Sequence, residues 1–318
     1  MTFARNFQKE EIEMTLVKSD IPELLTAGLK TAFFQTFGET PAQWDKIATV
    51  VPSERDTEQY AWLGALPGMR EFLDERSPAD LKPYSYAITN KTWESTLSID
   101  RTALEDDQYG QIALRVRQMA LVAKQHLDSI VFGLLGLGFT ASGYDGVPFF
   151  GIHQSISNGA QGLAQSNKGT DGLAAASLQA AITAMMRFTD DQGRPMGTRP
   201  NLLVIPPELY WEATQLLNSS FFPDPAPIGS QDLATNPLRG MLTLLTTPYL
   251  ASSSNWFLLD TGRVVRALVL QMRKEFEFNA LEGSSENGFL RDQFLYGVRA
   301  RYNAGFGDWR AAYGAQVG

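Results

Sequence analysis

Apolar and polar positions follow two rhythms along this chain. From about Gln108 to Leu135 the apolar residues are Ile112, Val116, Met119, Ala120, Ala123, Leu127, Ile130, Val131 and Leu134. Steps of three and four predict one amphipathic helix. At 1.5 Å per residue it spans roughly 40 Å, a strut across one lobe, and Gly136 and Gly138 end it. Asp20-Ile-Pro-Glu23 is a helix start with an apolar face at Ile21, Leu24, Leu25, Leu29 and Phe33 and a stop at Gly38. A third helix is predicted over Leu173–Phe188, and Pro206-Pro207 opens a fourth through Leu209, Ala213 and Leu216. The strand rhythm appears at Tyr84, Tyr86 and Ile88, at Trp93, Leu97 and Ile99, and again from Phe294 to Tyr302. Short apolar runs at Asn201–Ile205, Leu242–Thr246, Trp256–Asp260 and Val265–Met272 read as further strands. Residues 1–19 read as a flexible arm, 141–172, rich in Gly, Ser, Asn and Gln, as a loop joining two lobes, and 221–237, with four prolines, as a surface loop.

The stretch from Gln59 to Gly110 fits neither rhythm for long. It mixes β-type alternation with Pro67, Pro78 and Pro83 and many charges, then feeds into the strut helix. Excursions of this size are uncommon unless functional. An arm that cannot bury its own apolar groups needs a neighbour to lie on, which points to a subunit built for assembly. Arg70, Glu71, Asp74, Glu75 and Arg76 place both signs of charge close together, where complementary pairing sets register between partners. Trp62, Phe72 and Trp93 are the candidate apolar anchors, and Gly64, Pro67 and Gly68 the candidate hinges.

Composition narrows the function classes. The 318 residues are 44% hydrophobic and 19% charged, which is globular composition. A formal net charge of −8 opposes sequence-specific nucleic-acid binding, yet an acidic inner wall suits a container whose DNA must slide. There is no cysteine, so disulfide and thiolate chemistry are excluded. No apolar run reaches about 18 residues, so no membrane-spanning helix and no membrane partner are expected. The first residues carry no signal-peptide pattern.

Candidate chemistry is thin, and no cofactor is expected. His126 falls within the strut helix and reads as a packed residue. His153 sits in a polar loop without partners at metal-ligand spacing. Glu105, Asp106 and Asp107 stand where a helix N-terminus favours negative charge. Asp190, Asp191 and Gly193 lack the twelve-residue calcium-loop pattern and read as a turn. Phosphate-loop, dinucleotide and nucleophile-elbow motifs are absent. A lysine–asparagine cross-link could draw on Lys82 or Lys91 and Asn279, Asn287 or Asn303, but the reaction needs a desolvated neutral lysine, and surface lysines are the plainer reading.

Five strings carry a resemblance: LGALPGMREFLDER (63–76), YAITNKTWESTLSIDRTALEDD (86–107), YDGVPFF (144–150), AAITAMMRFTDDQGRPMG (180–197) and LLVIPPELYWEA (202–213). In this order the chain resembles the major head subunit family of Mu-like phages over roughly Glu54 to Gly307. After the double Phe it reads Gly151-Ile152-His153-Gln154, where the family commonly has an acidic residue and then His-Pro.

The resemblance implies an α+β chain of the Hong Kong 97 capsid fold. Mapped here, it implies an N-terminal arm at 1–53, an extended β-hairpin loop at 54–103 and a peripheral domain with the spine helix at 104–159. An axial α/β domain at 160–260 and return strands at 261–318 complete it. The implied function is a non-enzymatic major capsid protein whose pentamers and hexamers enclose double-stranded DNA in an icosahedral head. The implied partners are a portal, a maturation protease and a scaffold separate from this chain, since the string starts at Met1 without a charged helical extension. The implied locations are the virion and, during assembly, the host cytoplasm. Three alternatives stand beside it: a nanocompartment shell with protein cargo, a tail or baseplate protein, and a metal-dependent hydrolase using the acidic cluster and His153.

Overall fold

The computed structural model describes residues 21–60, 86–100, 109–157, 160–190, 193–221, 235–281 and 291–318. The chain forms two compact units: residues 1–40, 95–122 and 278–298 make one, and 41–94, 123–277 and 299–318 make the other.

The first unit holds helix α1 (Ile21–Glu39) and the early part of the strut helix α2 (Tyr109–Leu137). It also holds parts of three strands: β4 (Lys91–Asp100), β11 (Leu268–Leu281) and β12 (Gln293–Phe306). Its core is aromatic. Phe33, fully buried, stacks on Phe37 at 6.0 Å and meets Phe278 at 5.5 Å, and Phe278 in turn stacks on Tyr296 at 6.3 Å. Ile112, Val116, Met119 and Ala120 are buried in α2 at the steps of three and four that predicted it. By length and hydropathy α2 would suffice to cross a membrane. Its buried stripe, continued through Leu127, Val131 and Leu135, makes it the core helix of a folded subunit.

The second unit is built on a five-stranded sheet in the order β7 (Lys168–Gly169), β13 (Ala312–Ala315), β10 (Trp256–Leu259), β8 (Leu202–Ile205), β9 (Thr243–Thr246). β10 runs antiparallel to both neighbours, while β8 with β9 and β13 with β7 are parallel pairs. Every residue of β8 and β10 is buried, as the unbroken apolar runs require of strands covered on both faces. Helices α3 (Ala175–Met186) and α4 (Tyr210–Asn218) bury Leu178, Ala181, Ile182 and Met185, and Ala213, Leu216 and Leu217. α3 packs on β13 and α4 on β9.

A four-stranded sheet has the order β1 (Ala48–Pro52), β11, β12, β4. β1 lies parallel to β11, with Ala48 opposite Leu268. β12 alternates strictly: Phe294, Tyr296, Val298, Ala300, Tyr302 and Ala304 are buried.

Two sequence expectations need correction. Residues 141–172 are not simply a connecting loop. β5 (Ile152–Ser157) and β6 (Ala160–Ser166) form an antiparallel hairpin with a bulge between Gln154 and Ile156. Its polar composition hid it, because it lacks the apolar alternation that marks a strand. The C-terminal segment, where periodicity predicted no strand beyond Tyr302, supplies β13 as an inner strand of the five-stranded sheet. Gly314 belongs there because a Cβ would stand 2.9 Å from the Phe150 ring.

One carboxylate ties the start of β1 to α2. Asp128 Oδ1 accepts the backbone N–H groups of Gln43 at 3.0 Å and Trp44 at 2.7 Å, at the head of the single 3-10 turn Trp44–Lys46. Asp128→Ala strands both donors and is expected to cost about 1–3 kcal/mol. Asp128→Asn keeps a carbonyl oxygen and should retain most of the stability. Urea unfolding of the two variants checks this; equal midpoints would mean the carboxamide oxygen does not replace the acceptor.

Candidate assembly surface

The residues on either side of 61–85 lie side by side in the second unit. β2 (Thr57–Gln59) pairs antiparallel with β3 (Ala87–Thr89), and the Tyr60 N–H donates to the Tyr86 carbonyl at 2.7 Å. The tyrosines on either side of the segment are then plugged into the body. Tyr60, 2% exposed, donates its hydroxyl to Gln271 Oε1 at 2.7 Å, and the Gln271 amide donates to the Ile88 carbonyl at 3.2 Å. Tyr86 Oη accepts from the Phe306 N–H at 2.8 Å. Burial pushes the Tyr60 phenol up to about 12 and raises Tyr86, so both stay protonated at neutral pH. Ile88 lies over Gly305, where a Cβ would come within 2.5 Å of it. Only glycine leaves this space.

The turn below is pinned as firmly. Glu58 Oε1 accepts from Ser53 Oγ and from the N–H groups of Glu54 and Arg55. These hydrogen bonds, with the Arg55 amide the foremost, lower its pKa. Asn90 donates to Ser53 Oγ at 2.9 Å and to the Arg55 carbonyl at 2.8 Å. Asp56 Oδ1 takes Arg273 Nη1 at 3.1 Å and Arg301 Nη2 at 2.9 Å.

Of the residues expected at a subunit boundary, Trp62, Arg70, Glu71, Phe72, Asp74, Glu75 and Arg76 lie outside the described residues, as do the hinges Gly64, Pro67 and Gly68. Trp93 is described and half-buried. Its indole N–H donates to the Tyr302 carbonyl at 3.0 Å, and its ring meets His126 edge-on at 4.4 Å. His126 Nδ1 is 2.6 Å from Tyr302 Oη. Burial lowers the histidine's pKa and raises the phenol's, so the neutral pair has Tyr302 donating to Nδ1. His126 is a packed residue, as the sequence implied.

His153 is placed differently from the polar loop expected for it. It lies on β5, 1% exposed, stacked on Trp309 at 4.0 Å. Nδ1 stands 2.5 Å from Asp145 and Nε2 faces the Phe149 carbonyl at 3.3 Å, so no lone pair points at a ligand. Asn167, fully buried, donates to the Phe149 and Trp309 carbonyls and accepts from the Gly151 N–H. Arg310 donates to the Thr189 carbonyl at 3.1 Å and to Tyr144 Oη at 2.5 Å. This network locks the polar hairpin and the C-terminal turn together.

Little here suits catalysis. A cleft of about 570 Å³ has Asp260 and Asp308 in its wall. Asp260 accepts from the Arg199 and Gly262 N–H groups and from Arg263, while Asp308 accepts from the Arg310 N–H and lies 3.7 Å from Arg263. Among the described residues no three His, Asp or Glu side chains gather as metal ligands. Glu105, Asp106, Asp107 and Asp191 lie outside them. Asp190 closes a turn, accepting from the Arg194 N–H at 2.9 Å. Lys91 reaches over the Trp93 ring at 6.0 Å, and Asn303 donates to the Thr89 carbonyl at 2.8 Å, so each has work within its own subunit. Asn279 is exposed; Lys82 and Asn287 lie outside the described residues.

Sequence reading passed over the exposed apolar side chains Trp211 (78% exposed), Val264 (93%) and Ile152 (64%). Trp211 was legible: it falls off the face of Ala213, Leu216 and Leu217 that α4 buries.

A strut helix and a mixed sheet covered by helices suit one class, a shell-forming protein of the Hong Kong 97-like capsid fold. A chain of the procapsid of bacteriophage JBD30 matches it with a TM-score of 0.59 and 26% identity, covering 94% of this chain and 76% of that one. The chain belongs to the Mu-like prophage major head subunit gpT family, whose profile matches residues 23–176, 161–250 and 251–317. It is 25% identical over 301 residues to the major head subunit of the Mu-like prophage FluMu of Haemophilus influenzae. It is also 25% identical over 300 residues to the major capsid protein of Escherichia phage Mu. Each alignment spans 94% of this chain and 74% of the relative. The protein is thus a major capsid protein of a Mu-like phage or prophage, a subunit of the head shell and a member of a structural rather than an enzyme family.

Two outcomes follow from the buried aromatic hydroxyls. Tyr60→Phe removes the donor to buried Gln271 and should cost about 1–3 kcal/mol, with faster hydrogen exchange confined to 57–60 and 86–89; unchanged exchange there would show that the hydroxyl does not hold the loop's foot. His126 has a native pKa below its ordinary 6.5, so the unfolded chain binds the proton more readily. Its contribution is complete above pH 6.5 and lost as pH falls through the lowered native value. Melting temperatures of the isolated subunit should drop below pH 6.5, and His126→Gln should reduce that drop.

Proposed function

We propose that this subunit closes an icosahedral head of pentamers and hexamers around double-stranded DNA, held by loops that overlap from copy to copy. The observation that carries the reading is the foot formed by the residues flanking 61–85: a β-ladder and the anchored hydroxyls of Tyr60 and Tyr86 hold 57–60 and 86–89 together. Such a foot is what a loop reaching onto a neighbour needs, because pre-organisation removes ordering cost at assembly. Many weak contacts per particle then raise effective concentration and make loss of a single subunit rare.

In this reading the arm is 1–53, the extended loop 54–103, the peripheral domain 104–159, the axial domain 160–260 and the return strands 261–318. Trp62 and Phe72 act as apolar anchors, and Arg70, Glu71, Asp74, Glu75 and Arg76 set register. Trp93 serves its own subunit through Tyr302 and His126 and offers its remaining surface to a neighbour. The chain works with a portal, a separate scaffold and a maturation protease, gathers in the host cytoplasm and ends in the virion. The net charge of −8 supports a lining along which packed DNA moves without sequence-specific capture.

Expressed with its scaffold, the chain should give closed particles by negative-stain electron microscopy. Trp62→Ala should leave folded subunits, by circular dichroism, that assemble poorly; Trp93→Ala should in addition lower subunit stability by about 2–4 kcal/mol. Loss of secondary structure in the Trp62 variant would place that ring in an internal core instead.

A further inference from the structure

We propose that Asp56, Arg273 and Arg301 form a docking point for an acidic side chain of a second copy of this chain. The inference rests on the shell reading and adds a specific contact to it. Asp56 belongs to the turn that precedes β2, Arg273 to β11 and Arg301 to β12. Both guanidiniums converge on the same oxygen, Asp56 Oδ1. One carboxylate cannot neutralise two guanidiniums, so the group carries a net positive charge. Glu58, two residues further along the chain, is committed to Ser53 and to two backbone N–H groups. Asp56 is 68% exposed, and the two arginine side chains are 23% and 25% exposed, so the cluster opens to solvent.

The fold does not require this arrangement. Exposed ion pairs stabilise a chain by about 0–1 kcal/mol, whereas a guanidinium offers five donors in a planar fork suited to bidentate carboxylates. The charge balance of the protein points to the occupant. With 35 acidic and 27 basic residues, the surface that another copy presents is acidic overall, and a positive cluster in such a chain is complementary to its own kind. The cluster also lies at the foot of the 61–85 segment: the Asn90 N–H donates to the Asp56 carbonyl, and Thr57 begins β2. A neighbour's carboxylate bound there would clamp the turn from which the segment departs.

The test compares wild type with Arg273→Gln/Arg301→Gln and with the charge-preserving Arg273→Lys/Arg301→Lys. Circular dichroism and melting of unassembled subunits should be nearly the same for all three. The glutamine variant should need at least a tenfold higher subunit concentration to form shells, and its assembly should lose part of its salt dependence; the lysine variant should recover part of both. A glutamine variant that assembles at the wild-type concentration with unchanged salt dependence overturns the docking point and leaves the shell reading intact. Normal assembly with loss of packaged nucleic acid would overturn it too, assigning the cluster to phosphate. If the glutamine variant fails to fold while the lysine variant folds and assembles normally, the cluster is structural and the proposal fails. A wild-type chain that never forms shells removes the shell reading and this contact with it.

Discussion

The constraint on which the rest depends is loop closure at Tyr60 and Tyr86. Bringing together the ends of a segment of this length costs entropy. The chain meets that cost with a short ladder, a backbone hydrogen bond between the two tyrosines, and two phenols sunk into the body at Gln271 and Phe306. Once these are in place, the turn at 53–58, the β11–β12 strands and Gly305 are placed relative to one another within the second unit. The closure is made of hydrogen-bonded groups at or below the surface, and such networks help specify one arrangement.

A second buried polar system does the same for the hairpin β5–β6. Its strands lack the apolar alternation that would hold them by hydrophobic burial. His153, Asn167 and Arg310 substitute for it, binding carbonyls of Phe149, Trp309 and Thr189 and stacking on or over Trp309. A histidine between a carboxylate and a carbonyl, with an aromatic ring against its face, is consumed by structure. The same holds for Asp260 and Asp308, whose acceptors serve backbone amides and arginines. The polar groups that would attract a catalytic reading are the ones that fasten loops to the sheet.

Charge is used sparingly. The chain is acidic, and its arginines pair locally with aspartates at turns, as Arg194 with Asp190 and Arg263 with Asp260. Arg273 and Arg301 share one exposed partner, Asp56. Surface ion pairs contribute little to folding but much to the choice of partner, so this imbalance matters to assembly more than to the monomer.

The strut helix, the buried runs of β8 and β10 and the alternation of β12 were legible from the chain, because burial imposes a period that side-chain chemistry records directly. The capsid class was legible from long matching strings, not from any chemical motif. Three features were decided by tertiary structure. β5 and β6 are polar strands that pair with each other without an apolar alternation to announce them. β13, with Gly314 against Phe150, carries no periodic signal because its neighbours, not its own side chains, fill the space. The foot of the extended loop joins residues 53–60, 86–90, 271–273 and 301–306, and no local pattern announces contacts between positions separated by so much chain. Periodicity reports which face of an element is covered; only the assembled fold decides what covers it.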